Sequence, residues 1–446
     1  MLGKEAAARL IQTALEASTA DQTEVFVYAG SNALTRYANS AIHQNVTESA
    51  IEVKVRVALG SKLGVASTNR LTKADIRKVV ESATTIARLQ RENDAFHSFP
   101  TALAPPEVAG YSKRTATCSP EERADVVGEI CGRARAAGMQ AFGAFTTSLQ
   151  EFAVANSLGV STYFAGTTAD LHAVVMTDNS SGYAAQTACD VADIDSAIVA
   201  AEAVDKASRG RNPVDLASGE YEVVLDEYVT VDMLAMLAVL GLGAKAVQEK
   251  RSFLTGKLGQ PIMGPNVTIW DDGLNREGLP LPFDFEGVPK SKVVFVDRGI
   301  ASGMVYDSLT ATRDGVQSTG HALPAPNTLG PLPLNLFMAG GDATKGDLIR
   351  SVKRGLWVTR FWYTRPVQPL SVMVTGMTRD GTFLIENGEV TRAVRSARYT
   401  QSYVEALNNV ELLTKDVKLL KGELFGAFRV PALKINYWRF QGSSAD

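Results

Sequence analysis

The chain of 446 residues is poor in the residue types that carry metal and thiol chemistry, with four histidines and three cysteines. Cys118, Cys131 and Cys189 form no CxxC pair and leave an odd thiol over, which argues against a disulfide scaffold and fits a reducing compartment. No two of His43, His97, His172 and His321 fall within metal-ligand spacing, so the default reading of each is a hydrogen-bonded structural role. A basic surplus is also missing. The 45 Lys and Arg stand against 48 Asp and Glu, a formal charge of −3, which argues against a general nucleic-acid binder because phosphates are neutralised by clustered cations. The longest apolar run, "VTVDMLAMLAVLGLG" at 229–243, is too short against the ~20 residues needed to span a bilayer. The first residues, "MLGKEAAARLIQ", carry Lys4, Glu5 and Arg9 where a signal peptide would have its apolar core, so a cytoplasmic protein without membrane attachment is expected. There is no G-x-S-x-G elbow for a serine nucleophile.

What is present describes an ordinary globular protein, with 45% apolar and 21% charged residues and enough length for more than one domain. Helix ends are marked in the first half. Thr72-Lys-Ala-Asp75 and Ser119-Pro-Glu-Glu122 have the spacing of capping boxes, and the pattern predicts helices near 3–17, 73–90, 120–137 and 194–208. Between them, Ile51, Val53, Val55, Val57 and Leu59 alternate with Glu52, Lys54 and Arg56, the period of a strand with one wet face. The stretches 151–166 and 171–177 read as further strands of an antiparallel meander. Gly, Pro and small polar residues at 208–220 suggest a boundary, beyond which strands dominate at 221–227, 266–272, 292–299, 370–377 and 381–391. One helix interrupts them, from the box at Thr344-Lys-Gly-Asp347 to near Gly355. The expected class is α+β in two domains: an N-terminal mixed helix and antiparallel-sheet domain, 1–212, and a mainly antiparallel β domain, 213–446.

Three motifs invite a ligand, and each has a plainer reading. Gly241-Leu-Gly-Ala-Lys-Ala246 matches a dinucleotide fingerprint, but helix-forming Leu, Met and Ala precede it where a strand is required, so a closely packed helix end is expected. "GGDATKGD" at 340–347 lacks the Lys-Ser/Thr ending of a phosphate loop and is read as the helix cap. "RFWYTR" at 360–365 could stack single-stranded bases, yet the acidic balance favours a strand with its aromatic face packed inward.

The longest apolar run, "VTVDMLAMLAVLGLG" at 229–243, carries almost no chemistry, and its meaning comes from a resemblance. The stretches "LTRYANSAIHQNVTES", "GVASTNRL", "RSFLTGKLGQPI", "VTIWDDG", "FDFEGVP", "GMVYDSLTATRDGVQSTGH", "GLWVTRFWYTRPVQP" and "GTFLIENGEV", taken in order, resemble the TldD/PmbA family, long labelled modulators of gyrase. The resemblance implies a two-domain α+β architecture and dimeric assembly, either with itself or with a TldD-type zinc metalloprotease. The implied substrates are unfolded or leader peptides, which strand addition would grip through their backbone. Metal-bearing relatives carry His-Glu-x-x-x-His on the helix before the "SFLTG"-like segment and a cysteine near the C-terminus. Counted back from Gly256, those positions are Ala235, Met236 and Leu240, no histidine occurs from 173 to 320, and no cysteine follows Cys189.

The chain therefore resembles the PmbA/TldE side, and the resemblance implies no metal, cofactor or catalytic residue of its own, with zinc only in a TldD-type partner. Arg251, Ser252, Phe253, His321 and Asn327 are the residues expected to touch a peptide or partner. The alternatives are a stand-alone homodimeric peptide-binding scaffold and a hydrolase with an unconventional site.

Overall fold

The computed structural model describes residues 1–422 and 426–443. Six long antiparallel strands form the first sheet: β1 Gln22–Ala38, β2 Ala41–Leu59, β3 Lys62–Thr68, β4 Gln140–Asn156, β5 Ser161–Met176 and β6 Ser181–Ala188, in the order β3-β2-β1-β4-β5-β6. The helices α1 Lys4–Ala17, α2 Lys73–Leu89, α3 Lys113–Ala116, α4 Pro120–Ala136 and α5 Ser196–Arg209 accompany it. Their ends obey the short-range chemistry expected of them. Ser119 and Glu122 close both bonds of the capping box, and at α2 the Thr72 hydroxyl accepts from the Asp75 N–H.

Strand alternation gives this sheet two different faces. Val25, Val27, Val53, Val55 and Val57 are buried with Ala7 and Ile11 of α1 and with Val79 and Ala83 of α2. Phe26, Val154 and Phe164 instead cluster with Phe283 from the second half of the chain. The seam between the halves is also aromatic at Phe285, whose ring meets Phe26 edge-on at 5.5 Å. Beside it Arg56 forks between Glu24, 2.9 Å, and Glu286, 3.0 Å.

The second sheet has eleven strands: β7 Gly219–Leu225, β8 Ile269–Asp271, β9 Val293–Asp297, β10 Ile300–Ala301, β11 Asn335–Met338, β12 Arg354–Gln368, β13 Met373–Glu386, β14 Glu389–Ala393, β15 Ala397–Ser402, β16 Val410–Lys421 and β17 Ala427–Ser443. It is largely antiparallel, with parallel pairings of β7 with β12 and of β11 with β17. Because β7 pairs with both β12 and β17, the path β7-β12-β13-β15-β17 closes on itself. The helices here are α6 Glu227–Gly241, α7 Ala244–Gln248, α8 Ser308–Asp314, α9 Lys345–Arg350 and α10 Tyr403–Asn408. The α+β class holds. One helix is shorter than its sequence suggests: α9 starts at the Thr344–Asp347 box but stops at Arg350, because Val352 turns into the core and the chain enters β12.

A buried ionic junction fixes α6 to both halves. Asp226, fully buried at the end of β7, accepts from the Trp357 indole at 2.8 Å and pairs with Lys345 at 2.9 Å and Lys206 of α5 at 3.0 Å. Burial opposes its ionisation, but the two ammonium groups outweigh burial and hold its carboxyl well below the usual range. Removing one member strands the others as unpaired charges. Asp226→Ala is therefore expected to cost about 3–5 kcal/mol, measured as a lowered urea midpoint, while an exposed control such as Glu107→Ala changes little.

Candidate functional site

Most of the run at 229–243 folds as α6, rich in helix-forming Leu, Met and Ala, and one side of it meets a core. Val229, Met233, Leu234, Leu237 and Ala238 are buried in the main cluster of the second half. Ala235, Met236 and Leu240 fall on the outer side, half-buried and packed against the margin of that cluster. A methyl, a thioether and an isobutyl group stand there, and none offers the deprotonated nitrogen, thiolate or carboxylate that zinc requires. The side chains at these positions do not fit a zinc ion. No group of three or more His, Cys, Asp or Glu able to hold a metal ion occurs among the described residues.

One polar group survives on that outer side. Asp232, a turn before Ala235 and Met236, accepts hydrogen bonds from the Tyr403 hydroxyl at 2.6 Å and the Thr364 hydroxyl at 3.2 Å. Tyr403 and Tyr399 lie 3.0 Å apart through their hydroxyls, and burial, reinforced by the Asp232 charge, pushes both phenols far above their ordinary range. These phenols stay protonated and serve as donors. Sequence reading passed over Asp232, although it is the lone charge in the apolar run.

The segment after the helix is spent on closing it. The Ser252 hydroxyl donates to the Gly241 carbonyl at 2.7 Å and accepts from the Leu254 N–H at 2.9 Å, and both Ser252 and Phe253 are buried. The Phe253 ring lies so close to Gly241 that a Cβ there would stand 2.4 Å from it, which explains the glycine as a packing requirement. Arg251 pairs with Glu249 at 2.7 Å. Asn327 shapes its own loop, donating to the Gly330 carbonyl at 2.9 Å and accepting from the Leu329 N–H at 2.8 Å. The five residues expected to contact a ligand thus include three that are buried, Ser252, Phe253 and His321.

His321 sits in a sealed polar cluster. Its Nε2 lies 2.9 Å from an Asp271 oxygen and its Nδ1 2.9 Å from the Thr319 hydroxyl, while the Asn335 N–H donates to the other Asp271 oxygen at 2.7 Å. The order of groups is that of a hydroxyl–imidazole–carboxylate relay, but the ring is 1% exposed, so no substrate carbonyl reaches it. Burial and the nearby Lys290 ammonium depress the imidazole against the pull of Asp271.

The remaining motifs behave as packing features with one exception. Cys118 and Cys131 have thiols raised by burial, the direction of inert rather than activated sulfur. Of the aromatics in "RFWYTR" only Phe361 packs inward, 4.2 Å from Tyr399, whereas Trp362 and Tyr363 face outward. The expected inward aromatic face is corrected at Tyr363: Trp362 points out by ordinary alternation, but Tyr363, which alternation would turn inward, adopts a left-handed φ of 57°.

Three family profiles cover most of the chain. The PmbA/TldA metallopeptidase C-terminal domain matches residues 218–442, domain 1 matches 23–87 and the central domain matches 114–211. The chain belongs to the PmbA/TldD metallopeptidase family. A Haemophilus influenzae protein named Metalloprotease TldD homolog is 31% identical over 231 residues, 51% of this chain and 47% of that protein. Metalloprotease PmbA of Escherichia coli O157:H7 is 25% identical over 226 residues, 50% of this chain and 47% of its own length. The chain spans about half the length of the curated relatives it matches. In fold it is similar to the crystal structure of TldE from Thermococcus kodakarensis, with a TM-score of 0.88 over 97% of this chain and 99% of that one at 20% identity.

The His321 cluster predicts a pH signature. The ring takes a proton near its ordinary value of 6.5 when unfolded and only at lower pH when folded. The stability carried by neutral His321 is therefore complete above that value and drains away as pH falls towards the folded one. The stability gap between wild type and His321→Gln is expected to narrow between about pH 7 and pH 5 in urea unfolding. A constant gap would refute the assignment.

Proposed function

We propose that this chain is the metal-free subunit of a two-subunit peptidase, forming part of the chamber wall while a TldD-type zinc metalloprotease supplies the hydrolytic centre. The observation that carries this reading is the outer side of α6. A fold of the TldE type is kept along nearly the whole chain, while Ala235, Met236 and Leu240 occupy the positions that the family's metal motif would fill. A protein that retains the scaffold without the donors keeps surfaces, not chemistry. Its contribution is to hold an extended, unfolded or leader peptide within reach of the partner's zinc, and backbone pairing suits that task because it tolerates any side-chain sequence.

The test is reconstitution. The isolated chain is expected to leave reduced, unfolded casein intact and to purify without stoichiometric zinc. Mixing it with a TldD-type relative from the same genome is expected to produce cleavage that a zinc chelator abolishes. Chelator-resistant cleavage by the chain alone would overturn the proposal. So would silence with every TldD-type relative of the host, in which case the homodimeric scaffold takes its place.

A further inference from the structure

The exposed half of β12 is an unfinished sheet edge. Its parallel pairing with β7 ends at Val358 and Leu225, and beyond them β12 has β13 on one side and no strand on the other among the described residues. Thr359, Phe361 and Thr364 are buried there, and Trp362, Tyr363 and Arg365 are exposed. The uncovered stretch is also apolar where it faces out: Trp362 is 40% exposed, Tyr363 66%, Val367 56% and Leu370 52%. Native sheets ordinarily blunt or cover such an edge, so an open one that displays large rings is a surface to be covered.

Two features make this edge a prepared one. Tyr363 is held in a left-handed conformation that aromatic residues avoid, and the neighbouring Thr364 is tied down by Asp232 at 3.2 Å and Tyr399 at 3.3 Å. The rings are also backed by cations. Arg365 lies over Tyr363 at 4.3 Å, and Trp362 has Arg379 at 4.4 Å and Arg360 at 5.3 Å. Asp380 answers Arg360 at 3.0 Å and Arg379 only at 3.9 Å, whereas no carboxylate lies within ion-pair distance of Arg365 among the described residues. The Arg365 guanidinium spends one N–H on the Thr364 carbonyl at 2.9 Å, and its other N–H groups suit a carboxylate. The imbalance selects a negatively charged visitor.

We infer that the exposed stretch of β12 from Trp362 to Arg365 docks a short, extended, acidic segment of a different protein chain, with its backbone laid along the edge, its carboxylates on Arg365 and Arg379 and its apolar side chains on Trp362 and Tyr363. Pro366 ends the ladder, since a proline within a strand leaves the open side without a donor. A second copy of this chain is the wrong occupant. Isologous antiparallel pairing of the same edge sets the arginines of one copy beside the same arginines of the other. A nucleic acid fits less well, because Arg360 is already paired and tracking a phosphate backbone takes a row of uncommitted cations. The inference rests on no part of the assembly proposed above.

The probe is a fluorescein-labelled peptide, acetyl-Glu-Val-Thr-Glu-Val-Thr-Glu-Val amide, titrated with the full chain by anisotropy. Saturable binding that weakens with added salt and falls about tenfold in Arg365→Glu and in Trp362→Ala is expected, with unfolding midpoints unchanged because both side chains are exposed. No binding, or equal binding of the peptide with Lys in place of Glu, overturns it. Tighter binding of a fifteen-residue oligothymidine assigns the edge to nucleic acid instead. Sedimentation that shows a self-associated chain dispersed by the same two variants assigns it to a second copy.

Discussion

Asp226 is the point at which the architecture is pinned. One carboxylate, out of reach of water, takes an indole N–H from β12 and faces the ammonium groups of α9 and α5, while its backbone carbonyl starts α6. A strand of the second sheet, a short helix beside it, one helix from the first half and the apolar helix therefore meet on a single residue. A buried charge is tolerable only when its partners converge on it, so the positions of those four elements are mutually constrained. The outer side of α6 inherits its place from this junction, and so does Asp232, one and a half turns further along.

Ala235, Met236 and Leu240 offer no metal donor, and this decides what holds the helix down. A structural ion lends its binding energy to the fold only when it is loaded. Apolar side chains packed at the margin of the core lend theirs continuously, without regard to metal supply or to the protonation of ligands. A helix held in this way keeps its place whether or not zinc is present.

The parts of this fold that could be read from the sequence are those governed by neighbours along the chain. The Ser119–Glu122 and Thr344–Asp347 boxes mark helix starts correctly because the atoms involved are three residues apart. In β2 only residues 51–59 alternate, since only there is one face dry; residues 41–50, wet on both faces, are held by their ladder with β1 and show no period. The far end of α9 was decided by Val352 entering the core, which no local pattern announces. At the site, Ala235, Met236 and Leu240 stand out only through the resemblance to metal-bearing relatives; in the sequence by itself they belong to an ordinary apolar helix. Asp232 is visible as a lone charge, but its partners Tyr403 and Thr364 lie 171 and 132 residues away, and no spacing rule reaches that far. The outward turn of Tyr363 was hidden for another reason: its left-handed backbone breaks the alternation on which the reading relied.

The long pairing of β1 has a geometric meaning. It runs in register with β2 from Gln22 and Ala58 to Arg36 and Gln44, and β4 flanks it on the other side without a slip. The outer part of β2 is wet on both faces, yet Asn45 is gripped by Arg123 of α4 at 3.2 Å. The ladder thus runs unbroken from this wet stretch to the inboard end, where Glu24 shares Arg56 with Glu286 and Phe26 meets Phe285, so one pair of strands reaches both the solvent and the seam.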